Sequence, residues 1–102
     1  MKYNYELMMI QSFLISRLTE LWGSHKYEIK KEENSFKLKA KVYTVSVIYN
    51  EDKRVFTASV TTDFCNTSET TRNIHELTDF ITTCVSDCYI KYNLNNMEYL
   101  LK

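Results

Sequence analysis

The chain of 102 residues contains one glycine and no proline. That argues against Gly-built phosphate loops and against the Pro/Gly-rich composition of disordered segments. Turns must therefore use Asn, Asp and Ser, whose side chains bond to nearby backbone. Three cysteines, an odd number, cannot all pair, so a full disulfide framework is excluded. No basic-plus-apolar leader opens the sequence, and its longest early apolar run is Leu7-Met8-Met9-Ile10. Neither a signal peptide nor a membrane span is expected. The expected setting is cytoplasmic with reduced thiols, and the sequon Asn66-Thr67-Ser68 is read as chance. Neither sign of charge dominates, with 13 Lys and Arg against 13 Asp and Glu.

The length suits one domain spanning residues 1–102. Such a chain buries about two-thirds of its unfolded surface, enough for a core without metal or disulfide. The apolar fraction of 44% and charged fraction of 25% are ordinary for a globular protein. Lys outnumbers Arg, and Asn, Ile and Tyr are frequent, which points to an AT-rich genome. Charge is uneven along the chain. Residues 24–62 hold eight Lys and Arg against five acids, whereas residues 63–102 hold three against six.

Leu7, Ile10, Leu14, Leu18 and Leu21 recur at spacings of three and four, which predicts a helix over about residues 4–22. Met8, Ile15 and Trp22 widen its apolar stripe, and Ser12, Ser16, Thr19 and Glu20 fall opposite. Gly23 stands where a left-handed C-terminal cap is wanted. Three strands follow, over 26–32, 35–50 and 54–62, joined by the polar turns "EENS" and "NEDK" and therefore antiparallel. A second helix is predicted over 68–92, opened by a loose capping box in "NTSE" and interrupted by "NLNN". "MEYLLK" forms a short terminal turn of helix. The expected fold is α+β: helix, three-stranded antiparallel meander, helix (α-β-β-β-α), with both helices on one sheet face.

"CVSDC", residues 84–88, suggests metal or redox chemistry. On a helical wheel, however, Cys84 and Cys88 fall inside the stripe of Ile74, Leu77, Ile81 and Val85, while Asp87 points away. The pair is read as core, because free cysteine is among the most buried residue types. A zinc site needs a second ligand pair, which is missing. Cys65 is placed just before a helix N-terminus, where the dipole lowers a thiol pKa. A nucleophilic Cys65 with His75 as its base is conceivable, and a half-buried cysteine closing a strand is the plainer reading. His25 is read as a loop residue. No cofactor, metal or catalytic constellation is expected, and the chain is read as not an enzyme.

The second strand carries a parity flip. Phe36, Leu38, Ala40 and Val42 share even parity, whereas Tyr43, Val45, Val47 and Tyr49 are odd. One step of parity in a strand is a change of face. Either a β-bulge near residues 42–44 restores one buried face, or a straight strand exposes Tyr43, Val45, Val47 and Tyr49 as an interface patch. The straight strand implies a homodimer at micromolar concentrations. Lys37, Lys39 and Lys41 form a row that is either a solvated face or, with Tyr43 and Tyr49, a nucleic-acid surface.

The α-β-β-β-α order resembles that of several small phage-encoded inhibitors, including some anti-CRISPR proteins. It is also similar to the opening of type III secretion chaperones. The expected function is accordingly non-enzymatic binding of another protein, as a phage-type inhibitor of a host defence complex. A nucleic-acid-binding module and a chaperone-like binding protein are the alternatives.

Overall fold

The computed structural model describes residues 4–23 and 26–101, with the side chains of the C-terminal helix described as far as residue 94. His25 and the last lysine lie outside the described residues. The fold is α+β, in the order α1 (Tyr5–Trp22), β1 (Tyr27–Glu32), β2 (Ser35–Ala40), β3 (Tyr43–Asn50), β4 (Val55–Thr62), β5 (Asn66–Thr71) and α2 (Ile74–Leu101). The sheet has five strands, not three, and is an antiparallel meander ordered β1-β2-β3-β4-β5.

α1 begins and ends as its sequence dictates. Asn4 Oδ1 accepts from the N–H groups of Glu6 (2.9 Å) and Leu7 (3.2 Å). Gly23, at φ 69°, donates its N–H to Thr19 O at 2.8 Å, a backbone conformation that favours glycine. Two expected elements are revised. The 35–50 strand is a hairpin, broken at Lys41–Val42 into β2 and β3. The "NTSE" segment is the edge strand β5, not a helix start. α2 is instead capped by Asn73, whose Oδ1 accepts from His75 N (2.9 Å) and Glu76 N (3.2 Å). Thr71 Oγ1 adds a hydrogen bond to Glu76 Oε2 at 2.9 Å. Nor does "NLNN" interrupt α2, which continues to Leu101. An established helix propagates cheaply, and Asn costs well under about 1 kcal/mol per position.

The hairpin accounts for the parity flip without a bulge and without a two-faced strand. Leu38 pairs with Val45 and Phe36 with Val47. A two-residue turn makes paired positions sum to an odd number, so an even residue on β2 shares a face with an odd residue on β3. The same rule carries the buried face to Phe56, Ala58 and Val60 of β4, which oppose Tyr49, Val47 and Val45. Those side chains meet Leu7, Ile10, Leu14 and Leu18 of α1 and Leu77, Ile81 and Val85 of α2 in one core. Both helices lie on this face and run the same way, since Arg17 reaches Asp79 while Trp22 packs edge-on against Tyr89.

Val45 has no exposed surface. A lysine there would bury an ammonium among apolar groups with no partner, at a cost of several kcal/mol, comparable with the about 5–15 kcal/mol that stabilises a domain. Val45→Lys is therefore expected to abolish the cooperative urea transition and the helical circular dichroism signal. A folded Val45→Lys protein would contradict this packing.

Candidate protein-binding surface

The residues singled out from the sequence divide between the two sheet faces. Tyr43 (2% exposed), Val45 and Val47 (each 0%) belong to the core, and Tyr49 is half-buried with its ring 4.8 Å from Phe56. None offers a patch for a partner, so the homodimer expected through these four residues lacks its surface. Lys37 and Lys39 are exposed on the opposite, helix-free face, and Lys41 lies in the β2–β3 turn. That face is a carpet of short hydroxyls, with Ser46 opposite Ser59 and Ser59 opposite Ser68. Lys37 stands directly across from Lys30, and Lys39 from Glu28. Because the tyrosines face the helices, the lysine face has no rings from Tyr43 or Tyr49 on which a base would stack. The Lys/Tyr nucleic-acid surface is therefore not assembled.

Of the three thiols, Cys88 is buried, Cys84 is half-buried against the core and Cys65 is half-buried. Cys65 does not precede a helix; it sits in the β4–β5 turn, eight residues short of Asn73, the cap of α2. Thr62 Oγ1 organises that turn by accepting from the N–H groups of Phe64 and Cys65, both at 3.0 Å. Cys65 borders a shallow depression with Cys84, Asp87 and Ile90. His75 is exposed and lies nine residues before Cys84 on α2, about 14 Å along the helix axis, so the expected base is remote from the thiol. Cys88 is buried and its Sγ lies 3.8 Å from Val42 O. No group of three or more His, Cys, Asp or Glu able to hold a metal occurs among the described residues. No described helix is long and apolar enough to cross a membrane.

What remains is α1. With Tyr5 set at 0° and about 100° per residue, its buried side chains fall between about 140° and 240°. The opposite side should be polar. Instead Tyr5, Met9 and Phe13 stand at about 0°, 40° and 80°, a single i, i+4 row pointing away from the core. Tyr5 is 71% exposed, Met9 49% and Phe13 44%. Met8, read from the sequence as an extension of the core stripe, is 46% exposed and widens this outer face. Arg17 closes the row: its guanidinium lies 4.6 Å from the centre of the Phe13 ring and 3.8 Å from Asp79 Oδ1. A shallow groove runs beside it, lined by Phe13, Ser16, Arg17 and Glu20 of α1 and by Thr82 and Ser86 of α2. Of the other exposed large apolar residues, Tyr27 and Ile48 stand on separate strands and Phe64 in the β4–β5 turn, and Ile90 and Leu94 form a shorter i, i+4 pair on α2. Sequence reasoning missed the row because it followed only the wider core stripe. The i, i+4 spacing of Tyr5, Met9 and Phe13 was the available signal.

Compared with protein-family profiles, with curated proteins and with solved structures, the chain matches none.

Burial is the first cause that raises the pKa of Tyr43, of Cys84 and of Cys88, with neighbouring ionisable groups adding to it and, at Cys88, a hydrogen bond with Thr62 partly opposing it. The folded chain holds these protons at a pH where the unfolded chain has released them. Their contribution to stability is therefore complete below the ordinary thiol range and is lost as pH rises above about 8.5. The urea midpoint is expected to fall between about pH 8 and pH 10.5. A midpoint constant over that interval would contradict the burial of these groups.

Proposed function

We propose that the protein works without catalysis, by binding another protein through the outward face of α1. The observation that carries this reading is the exposed row of Tyr5, Met9 and Phe13, with Met8 beside it, on the side of the helix that contributes nothing to the core. The largest apolar patch on a protein surface is often the functional one, and this row forms such a patch. Aromatic rings and Met are also the types enriched at the centre of protein interfaces, where rigid area and adaptable packing are needed. Arg17 at the end of the row is of the same kind.

The class of function is the one expected from the sequence, a small protein that acts by binding another protein. Its support now comes from this helix face. The α-β-β-β-α order that suggested the inhibitor and chaperone comparisons is not the order of this chain. A neutral formal charge and a lysine row interleaved with Glu28 and Glu32 favour a protein partner over a polyanion.

A photo-crosslinking residue at position 9 is expected to capture one specific protein in the cell that expresses the chain. Phe13→Glu is expected to abolish that capture while leaving the circular dichroism spectrum and melting temperature within experimental error, because Phe13 lies outside the core. Capture that persists undiminished in Phe13→Glu, or no capture at all, would remove α1 as the binding surface.

A further inference from the structure

We propose that the free protein pairs with a second copy of itself through the same outward row of α1, the two helices antiparallel about a two-fold axis level with residue 11. This rests on the reading of that face as a docking surface and names its occupant when no other protein is bound.

The row is self-complementary in one orientation only. Tyr5, Met9, Phe13 and Arg17 form an i, i+4 ridge, and packing such ridges against each other is the commonest mode of helix association in globular proteins. With the axis level with residue 11, Met9 of one copy meets Phe13 of the other, and the contact repeats by symmetry. A thioether against a ring is a favourable contact. The charges select the direction. Glu6 and Arg17 stand at about 100° and 120° on the wheel, on one flank of the ridge. A two-fold axis perpendicular to the helices sets Glu6 of each copy level with Arg17 of the other, on the same flank. Two opposite-charge pairs result. Parallel packing would instead put the charged flanks of the two copies on opposite sides of the seam, so that neither pair forms. Arg17 can accept a second carboxylate, since its contact with Asp79 is long at 3.8 Å and its half-buried side chain keeps 41% of its surface exposed. The groove that Phe13, Ser16, Arg17 and Glu20 make with Thr82 and Ser86 lies on this flank and leaves room for the incoming helix.

The row sets the strength as well. From the exposures above and the about 150–250 Å² that each ring carries, it supplies about 300–400 Å² of apolar surface per copy. That total belongs to transient interfaces, not permanent ones. The pair therefore forms at high concentration and gives way to a tighter partner for the same face. Partner binding and self-association are mutually exclusive.

Sedimentation velocity on the full chain over about 10–500 µM tests the proposal. The wild type is expected to pass from monomer to dimer in this interval, and Phe13→Glu to remain monomeric with an unchanged circular dichroism spectrum. Glu6→Arg is expected to raise the dissociation constant several-fold, and Glu6→Arg combined with Arg17→Glu to bring it back toward the wild-type value. A wild type monomeric at every concentration, a dimer indifferent to Phe13→Glu, or a double variant no better than the single one would overturn it. A monomeric wild type that still crosslinks specifically through position 9 removes self-pairing alone and leaves the docking surface standing.

Discussion

Two helices can dry only one face of a sheet, and the architecture follows from that constraint. A strand buried on one side alternates, and it can hold its alternation across a turn only if turn length and parity agree. The β2–β3 turn, Lys41–Val42, satisfies this by making Leu38 oppose Val45 and Phe36 oppose Val47. Remove one residue from the turn and every apolar group on β3 would swing to the open face. The odd register sum then repeats at the β3–β4 and β4–β5 pairings. Through it the one drained face reaches Phe56, Ala58 and Val60, and the other is left to hydroxyls and lysines. Tyr43 lies at the corner of this arrangement, its ring 6.1 Å from that of Trp22. Trp22 in turn meets Tyr89 and Tyr92, so an aromatic cluster ties the end of α1 to α2 above the β2–β3 turn.

Legibility in the sequence tracked how strongly each segment is buried. α1 could be read almost to the residue, because its core stripe is wide and Gly23 marks its C-terminal end. β4 was equally plain, with an apolar residue at every second position. β5 was hidden because it is an edge strand beside an exposed margin of the sheet. Its only half-buried side chains are Thr67 and Thr71, so it shows no hydrophobic alternation. Polar Thr and Ser near an acidic residue then imitate a helix cap, while the true cap, Asn73, stands seven residues further on than the start of "NTSE". The parity flip is visible in the sequence, where a bulge or a two-faced strand accounts for it equally well. The missing alternative was a turn without Gly, Asn or Asp at its centre. Lys41 and Val42 are poor turn formers on local grounds, and the burial of five apolar side chains on the two flanking strands overrides them.

The candidate site was less legible than the fold, and for a different reason. A buried stripe and an exposed stripe on one helix carry the same periodicity, so periodicity cannot say which of them faces the core. Leu7, Ile10, Leu14 and Leu18 outnumber Tyr5, Met9 and Phe13 and capture the reading. The smaller set then looks like the fraying of the larger one. Only the position of the sheet separates them, since it fixes which side of α1 is already occupied.

The sheet that assigns the core stripe of α1 also explains why the outer row is dispensable for folding. α1 has its cap, its C-terminal stop and its four core side chains without any help from Tyr5, Met9 or Phe13. Exposed aromatic rings and Met at these positions add helix propensity no better than Ala, Glu or Lys would, and they carry an aggregation liability that charged residues would remove. Arg17 stands where the two roles of the helix meet. Toward α2 it reaches Asp79, and toward solvent its guanidinium covers the inner end of the row by lying over Phe13. A lysine would keep the charge but lose the planar surface that lies on the ring. The packing of the fold has no use for that planar contact, so the arrangement is best understood as part of the surface and not of the core.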